Sequence, residues 1–71
     1  MLDIQENVSL QEFNTLALKV FARYFFEANN SEQIPALFDF ADRHQLPVLL
    51  LGDGSNVVIA KDFPGLVVKI S

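Results

Sequence analysis

Two glycines one residue apart stand in the run Leu51-Gly52-Asp53-Gly54-Ser55-Asn56-Val57, and no other stretch of the chain is better suited to chemistry. Glycine has no Cβ, so such a run can take positive φ and bring main-chain N–H groups close to a ligand. Consecutive N–H groups that converge in a turn form a concavity for anions, and phosphates are the common occupants. Ser55 and Asn56 add side-chain donors to that main-chain set. Asp53 opposes it, because a carboxylate repels a phosphate; as part of a cradle it has to turn its side chain away while its N–H contributes. Gly, Asp, Ser and Asn are also the ordinary residues of a plain turn between strands. The spacing by itself leaves both readings open.

Two better-known phosphate loops do not fit. A P-loop requires Gly-x-x-x-x-Gly-Lys followed by Ser or Thr, and Lys61 is out of register for it. The dinucleotide fingerprint Gly-x-Gly-x-x-Gly requires a third glycine where Val57 stands, and then a helix. The run after the glycines, Val57-Val58-Ile59-Ala60, is short, β-branched and soon followed by Pro64-Gly65. It reads as a strand, so the loop is expected to join strand to strand.

The elements that have to position this loop are legible as patterns. Val20–Ala28 is dense in aromatics, with Ala22, Tyr24, Phe26 and Ala28 on one parity and Arg23, Phe25 and Glu27 on the other. This predicts a strand with one inward face. Asn30 or Ser31 can cap a following helix over 32–44, with Glu32 in its first turn. Ile34, Leu37, Phe38 and Ala41 recur as an apolar stripe, Asp39, Asp42 and Arg43 point outward, and Pro47 stops the helix near Gln45. His44 falls in the last turn; with no nucleophile or carboxylate paired to it, it reads as a surface histidine near the helix's negative end.

Val48–Leu51 is a continuous apolar strand, Asp62-Phe63-Pro64-Gly65 a turn, and Leu66–Ile70 a final strand. Residues 1–17 read as an irregular lead-in, with Ser9 and Glu12 spaced for a single capped turn. Residues 18–71 form the ordered unit. The expected class is α+β, in the order strand, helix, strand, strand, strand. The first pair is expected to be parallel, through a right-handed crossover.

Composition narrows the function classes. The formal net charge is −4 without any basic cluster, which argues against nucleic acid as partner. There is no cysteine, and one histidine cannot build a zinc site alone, so no metal site is expected. The apolar runs are too short to span a membrane, and Asp3, Glu6 and Glu12 near the start do not fit a secretory signal. A cytoplasmic location follows as an expectation. The chain is 51% hydrophobic and 20% charged, more apolar than so small a globule comfortably buries. The strand Val48–Leu51 needs cover on both faces, and one helix covers one face. The other cover has to come from residues 1–17, a partner or further polypeptide, so a fragment is expected.

The run Pro47-Val48-Leu49-Leu50-Leu51-Gly52-Asp53-Gly54-Ser55-Asn56-Val57-Val58-Ile59 resembles the diphosphate loop of the UDP-N-acetylenolpyruvoylglucosamine reductase family. Asn14-Thr15, the strand Ala22–Glu27, the helix from Ser31 to Pro47 and the segment Phe63–Val68 resemble family features in the same order. Lys19-Val20-Phe21 departs from it, standing where small residues are expected.

The resemblance implies the first, incomplete subdomain of a vanillyl-alcohol-oxidase-type FAD-binding domain. It implies noncovalent FAD, NADPH as reductant and a UDP-sugar enolpyruvyl ether as substrate, in the synthesis of bacterial peptidoglycan. Carried over residue by residue, it makes Gly52, Asp53, Gly54, Ser55, Asn56 and Val57 the cofactor-binding cradle. Asn14 and Thr15 either shape the cofactor pocket or stabilise a local turn. The family's catalytic residues match no position here, so none is assigned. The alternatives are another FAD-dependent oxidoreductase of the same fold, or a small non-catalytic α+β binding module.

Overall fold

A computed structural model describes residues 2–52 and 58–71. The described elements are the strands β1 (Gln5–Ser9), β2 (Phe21–Ala28), β3 (Val48–Leu51) and β4 (Phe63–Ile70), and the helix α1 (Ile34–Arg43). They form one four-stranded mixed sheet in the order β1-β2-β4-β3. β1 runs antiparallel to β2, while β2 and β3 both run parallel to β4. The class is α+β, as the sequence implies, but the elements differ from expectation in several places.

The first difference is at the start of the chain, where residues 1–17 are not an irregular lead-in. Gln5–Ser9 forms an edge strand on β2, and Gln11–Phe13 then makes one 3₁₀ turn. The Gln11 N–H donates to Ser9 Oγ at 3.3 Å, so Ser9 does support that turn. The second difference is that residues 58–60, expected within a strand, form none. β4 instead begins earlier than expected, at Phe63. The described order is strand, strand, helix, strand, strand.

β2 also departs from the single inward face expected of it, because Phe25 is buried along with Ala22, Phe26 and Ala28. The reason is a switch of faces. Tyr24, Phe26 and Ala28 pack on the helix side, whereas Ala22 joins Phe25 on the opposite side. The pairing of β2 with β4 shifts between Ala22 and Tyr24, as a bulge requires. β1 makes a matching switch. Ile4 packs on the helix side and Val8 on the other, and Asn7 between them takes φ 53°. Asparagine is among the residues that tolerate this left-handed conformation.

α1 follows a 3₁₀ turn at Ser31–Gln33 in which Asn30 Oδ1 accepts from the Glu32 N–H at 2.9 Å. Leu37 and Ala41 are buried against Leu66, Val68 and Phe26. Phe38, expected on the buried stripe, is instead 45% exposed. Phe40 has turned towards the sheet in its place, edge-on to Tyr24 with ring centroids 5.3 Å apart. Asp39 and Arg43 form an exposed ion pair at 3.1 Å, an arrangement that contributes little.

The helix ends in a Schellman arrangement. The Leu46 N–H donates to the Ala41 carbonyl at 2.8 Å, and the Gln45 N–H to that of Asp42 at 3.1 Å. Gln45 sits at φ 55°, a left-handed position that favours glycine. His44 is the helix cap, its ring 4.4 Å from that of Phe40 between centroids.

Two stability predictions follow. Gln45→Gly is expected to stabilise the fold by about 0.5–1 kcal/mol by removing the left-handed penalty. Gly65→Ala is expected to destabilise it by about 1–3 kcal/mol. A Cβ on Gly65 would collide with the Pro47 carbonyl oxygen, which accepts the Leu66 N–H. Urea denaturation read by circular dichroism checks both, and equal midpoints for wild type and either variant would contradict that assignment.

Candidate functional site

The glycine-rich run begins where three parallel strands end together. Leu51 pairs with Lys69, and Lys69 pairs with Glu27, so β3, β4 and β2 reach their carboxyl ends within one residue of one another. In open α/β sheets the crevice outside such ends is where ligands bind. Leu51, the last residue of β3, is 2% exposed, and Gly52 immediately after it is exposed. Asp53, Gly54, Ser55, Asn56 and Val57 lie outside the described residues. Asn29, Asn30 and Ser31 follow β2 at the same edge, and like Gly52 they are uncharged.

β3 and β4 are parallel neighbours, so the chain between them must return from one end of the sheet to the other. Its described part lies on the face opposite α1. Ile59 is buried there with Leu10, Val20, Ala22, Phe25, Leu51 and Val67. At the far end Asp62 Oδ1 accepts the Phe21 N–H at 2.9 Å, fixing the connection to the start of β2. The step from β2 to β3 passes over one face and the step back to β4 over the other. Opposite steps on opposite faces have the same hand, as the crossover rule requires.

A segment crossing a sheet face has no ladder to satisfy its main chain, and Asn14 supplies the missing partner. Its Nδ2 donates to the Ile59 carbonyl at 2.7 Å, and its Oδ1 accepts the Ile59 N–H at 3.3 Å. Oδ1 also accepts the Leu16 N–H at 3.3 Å, and the Asn14 carbonyl accepts the Ala17 N–H at 2.8 Å. Asn14 is 5% exposed, and no buried side-chain polar atom among the described residues lacks a partner. Phe13 beside it stacks on Phe25, with ring centroids 5.3 Å apart.

Of the sequence-derived candidates, the described structure therefore brings Gly52 to the carboxyl edge and Asn14 to the return segment. Thr15 is exposed. Asn14 does stabilise a local turn, but its larger engagement is with a residue 45 positions away. Ile59 as its partner had no signal in the sequence, because main-chain groups accept an amide whatever side chain they carry.

Among the described residues no group of three or more His, Cys, Asp or Glu could hold a metal ion. Among them, too, no helix is long and apolar enough to cross a membrane.

No protein-family model matches the chain. Curated relatives do. The chain is 36% identical over 70 residues to a UDP-N-acetylenolpyruvoylglucosamine reductase of Pseudomonas fluorescens, covering 99% of this chain and 21% of that protein. It is 39% identical over 70 residues to the protein of the same name from Chromobacterium violaceum, covering 99% of this chain and 20% of that one. Over 61 residues, 86% of the chain, it is 43% identical to that of Photorhabdus laumondii, 18% of whose length is covered. The chain spans about a fifth of the length of these relatives. It is thus similar, along nearly its whole length, to one stretch of the UDP-N-acetylenolpyruvoylglucosamine reductases.

Proposed function

We propose that this chain is the first part of the FAD-binding domain of a cytoplasmic UDP-N-acetylenolpyruvoylglucosamine reductase acting in peptidoglycan synthesis. In this reading the domain is of the vanillyl-alcohol-oxidase type, and residues 18–71 are its first, incomplete subdomain. The segment Gly52–Val57 holds the FAD diphosphate through main-chain N–H groups, with Ser55 and Asn56 as side-chain donors. The observation that carries the reading is the similarity along nearly the whole chain to reductases of that name.

The position of Gly52 supports it. A diphosphate held by main chain needs a strand end from which successive N–H groups can turn towards it, without carboxylates aimed at the same point. Gly52 leaves a buried strand end at the carboxyl edge, where Asn29, Asn30 and Ser31 are uncharged and the Glu27 carboxylate accepts the Ser71 hydroxyl. These features fit a phosphate-bearing cofactor. When bound, the flavin would take a hydride from NADPH and pass it to the enolpyruvyl ether of the UDP-sugar. The residues of this chain would orient the cofactor. No residue here is assigned to proton transfer, and the substrate would be met by other parts of the protein.

In the full-length protein, purification is expected to yield bound FAD, with NADPH oxidation that depends on the UDP-sugar enolpyruvyl ether. Gly54→Val is expected to abolish flavin retention, since a β-branched side chain would block close approach of the main chain to the diphosphate. Flavin absorbance after gel filtration measures this. Full flavin content in the variant would remove Gly54 from the cradle, and a colourless wild type without NADPH oxidation would overturn the function.

A further inference from the structure

We infer that the outer edge of β3 is completed, in the whole protein, by an extended segment of the same polypeptide that lies outside these residues and pairs with Val48 and Leu50 as a further strand. The inference does not involve the flavin. It rests only on the part of the reading above in which the protein continues as its relatives do, and the chain spans about a fifth of their length.

The main chain of β3 is arranged for such a neighbour. β3 closes the sheet on one side, and among the described residues no strand pairs with its outer edge. The Pro47 carbonyl accepts the Leu66 N–H at 2.9 Å, and Leu66 stands opposite Val48 in the register. Successive residues of a strand turn their N–H and C=O groups to alternate sides. Leu49 and Leu51 therefore turn theirs towards β4, as Pro47 does, and Val48 and Leu50 turn theirs outward.

The side chains at this edge are as unguarded as its main chain. An edge strand invites pairing with other chains, and charges or local distortions are common protections. β1, at the other side of the sheet, has them: Gln5, Glu6 and Asn7 are exposed, and Asn7 breaks the extended path at φ 53°. β3 is Val-Leu-Leu-Leu, protected by its shortness alone, with Leu50 51% exposed. Val48 packs in the cluster on the helix side, whereas Leu49 and Leu51 pack in the opposite one, so Leu50 projects on the helix side.

α1 adds a second apolar group there. At about 3.6 residues per turn, Phe38 and Phe40 fall on opposite flanks of the buried stripe of Leu37 and Ala41. Phe40 leans towards Tyr24 of β2, the side nearer β1, so Phe38 leans towards the β3 side, where it is 45% exposed. Leu50 and Phe38 thus give the outer edge an apolar margin on one face. A strand with an apolar residue on that face meets the margin and the outward main-chain groups together. A helix laid there covers the side chains and leaves the peptide groups unmatched.

The same polypeptide is the fitting source. A tethered segment is present at an effective concentration on the order of millimolar. Pairing β3 with a second copy of itself offers four residues a side, a small part of the roughly 800 Å² per partner that a stable association buries.

Amide hydrogen exchange in the full-length protein tests this residue by residue, with Leu49 and Leu51 as the internal reference. The Val48 and Leu50 amides are expected to exchange about a hundredfold or more slower than free peptide, at rates independent of protein concentration. Free exchange at Val48 and Leu50 beside slow exchange at Leu49 and Leu51 would overturn the inference. So would protection that appears only as concentration rises, the mark of a second copy. Leu50→Lys is expected to lower the melting midpoint of the full-length protein by several degrees, and an unchanged midpoint, the usual result at an exposed site, would count against the strand. Should that variant not fold, exchange in the wild type decides. A flavin-loaded protein with freely exchanging Val48 and Leu50 amides would refute this inference alone; slow exchange at both in a colourless protein would support it and refute the flavin reading.

Discussion

Leu66, Val67 and Val68 of β4 are all fully buried, and successive residues of a strand point to opposite faces. β4 is an interior strand of the sheet, so both of its faces need apolar cover along their length. Most of the architecture follows from that requirement. α1 covers Leu66 and Val68 with Leu37 and Ala41. Val67 is covered from the other side by Leu10, Val20 and Ile59, which come from segments with no regular structure of their own. The return from β3 to β4 is thus a layer of the core as well as a connection. A core layer made of irregular chain has to satisfy its main chain by other means, and the buried asparagine is the means used here.

How much of this was legible in the sequence depended on whether an element's main chain and side chains carried the same message. The helix was legible because Ile34, Leu37 and Ala41 repeat at helical spacing between a capping asparagine and a stopping proline. Its exact rotation was not. Phe38 and Phe40 are equally apolar neighbours of the stripe, and the choice between them was made by Tyr24, which offers Phe40 an edge-on partner. β3 was legible as a strand because its residues are all apolar, although it is an edge strand with Leu50 left 51% exposed rather than a doubly covered one. What covered its second face was not, since the residues that do so are scattered over 10–20 and 59 without a period.

The two misread stretches fail in opposite ways. β1 has paired main chain but no readable alternation: it is a polar edge strand, and Asn7 reverses its faces midway. Residues 58–60 have the opposite combination. Val58 and Ala60 are exposed and Ile59 is buried, the alternation of a strand, yet no neighbouring strand is paired with them. Alternation reports only that an extended segment lies with one side against something apolar. It does not distinguish a strand within a sheet from a strap laid across one.

That distinction explains why a polar side chain is found in this core at all. A peptide group buried without a partner costs about 1–3 kcal/mol, and a strap inevitably brings some of its peptide groups against an apolar face. The primary amide of asparagine offers the same donor and acceptor as a peptide group, on a side chain short enough to be held by its own turn. Asn14 thus stands in for a neighbouring strand at a single residue, meeting both the N–H and the carbonyl of Ile59. A full strand at that place would extend pairing along the strap and draw the residues before it into a ladder. Pairing at one residue fixes the strap against the sheet at Ile59 without a ladder running along Val58, Ile59 and Ala60.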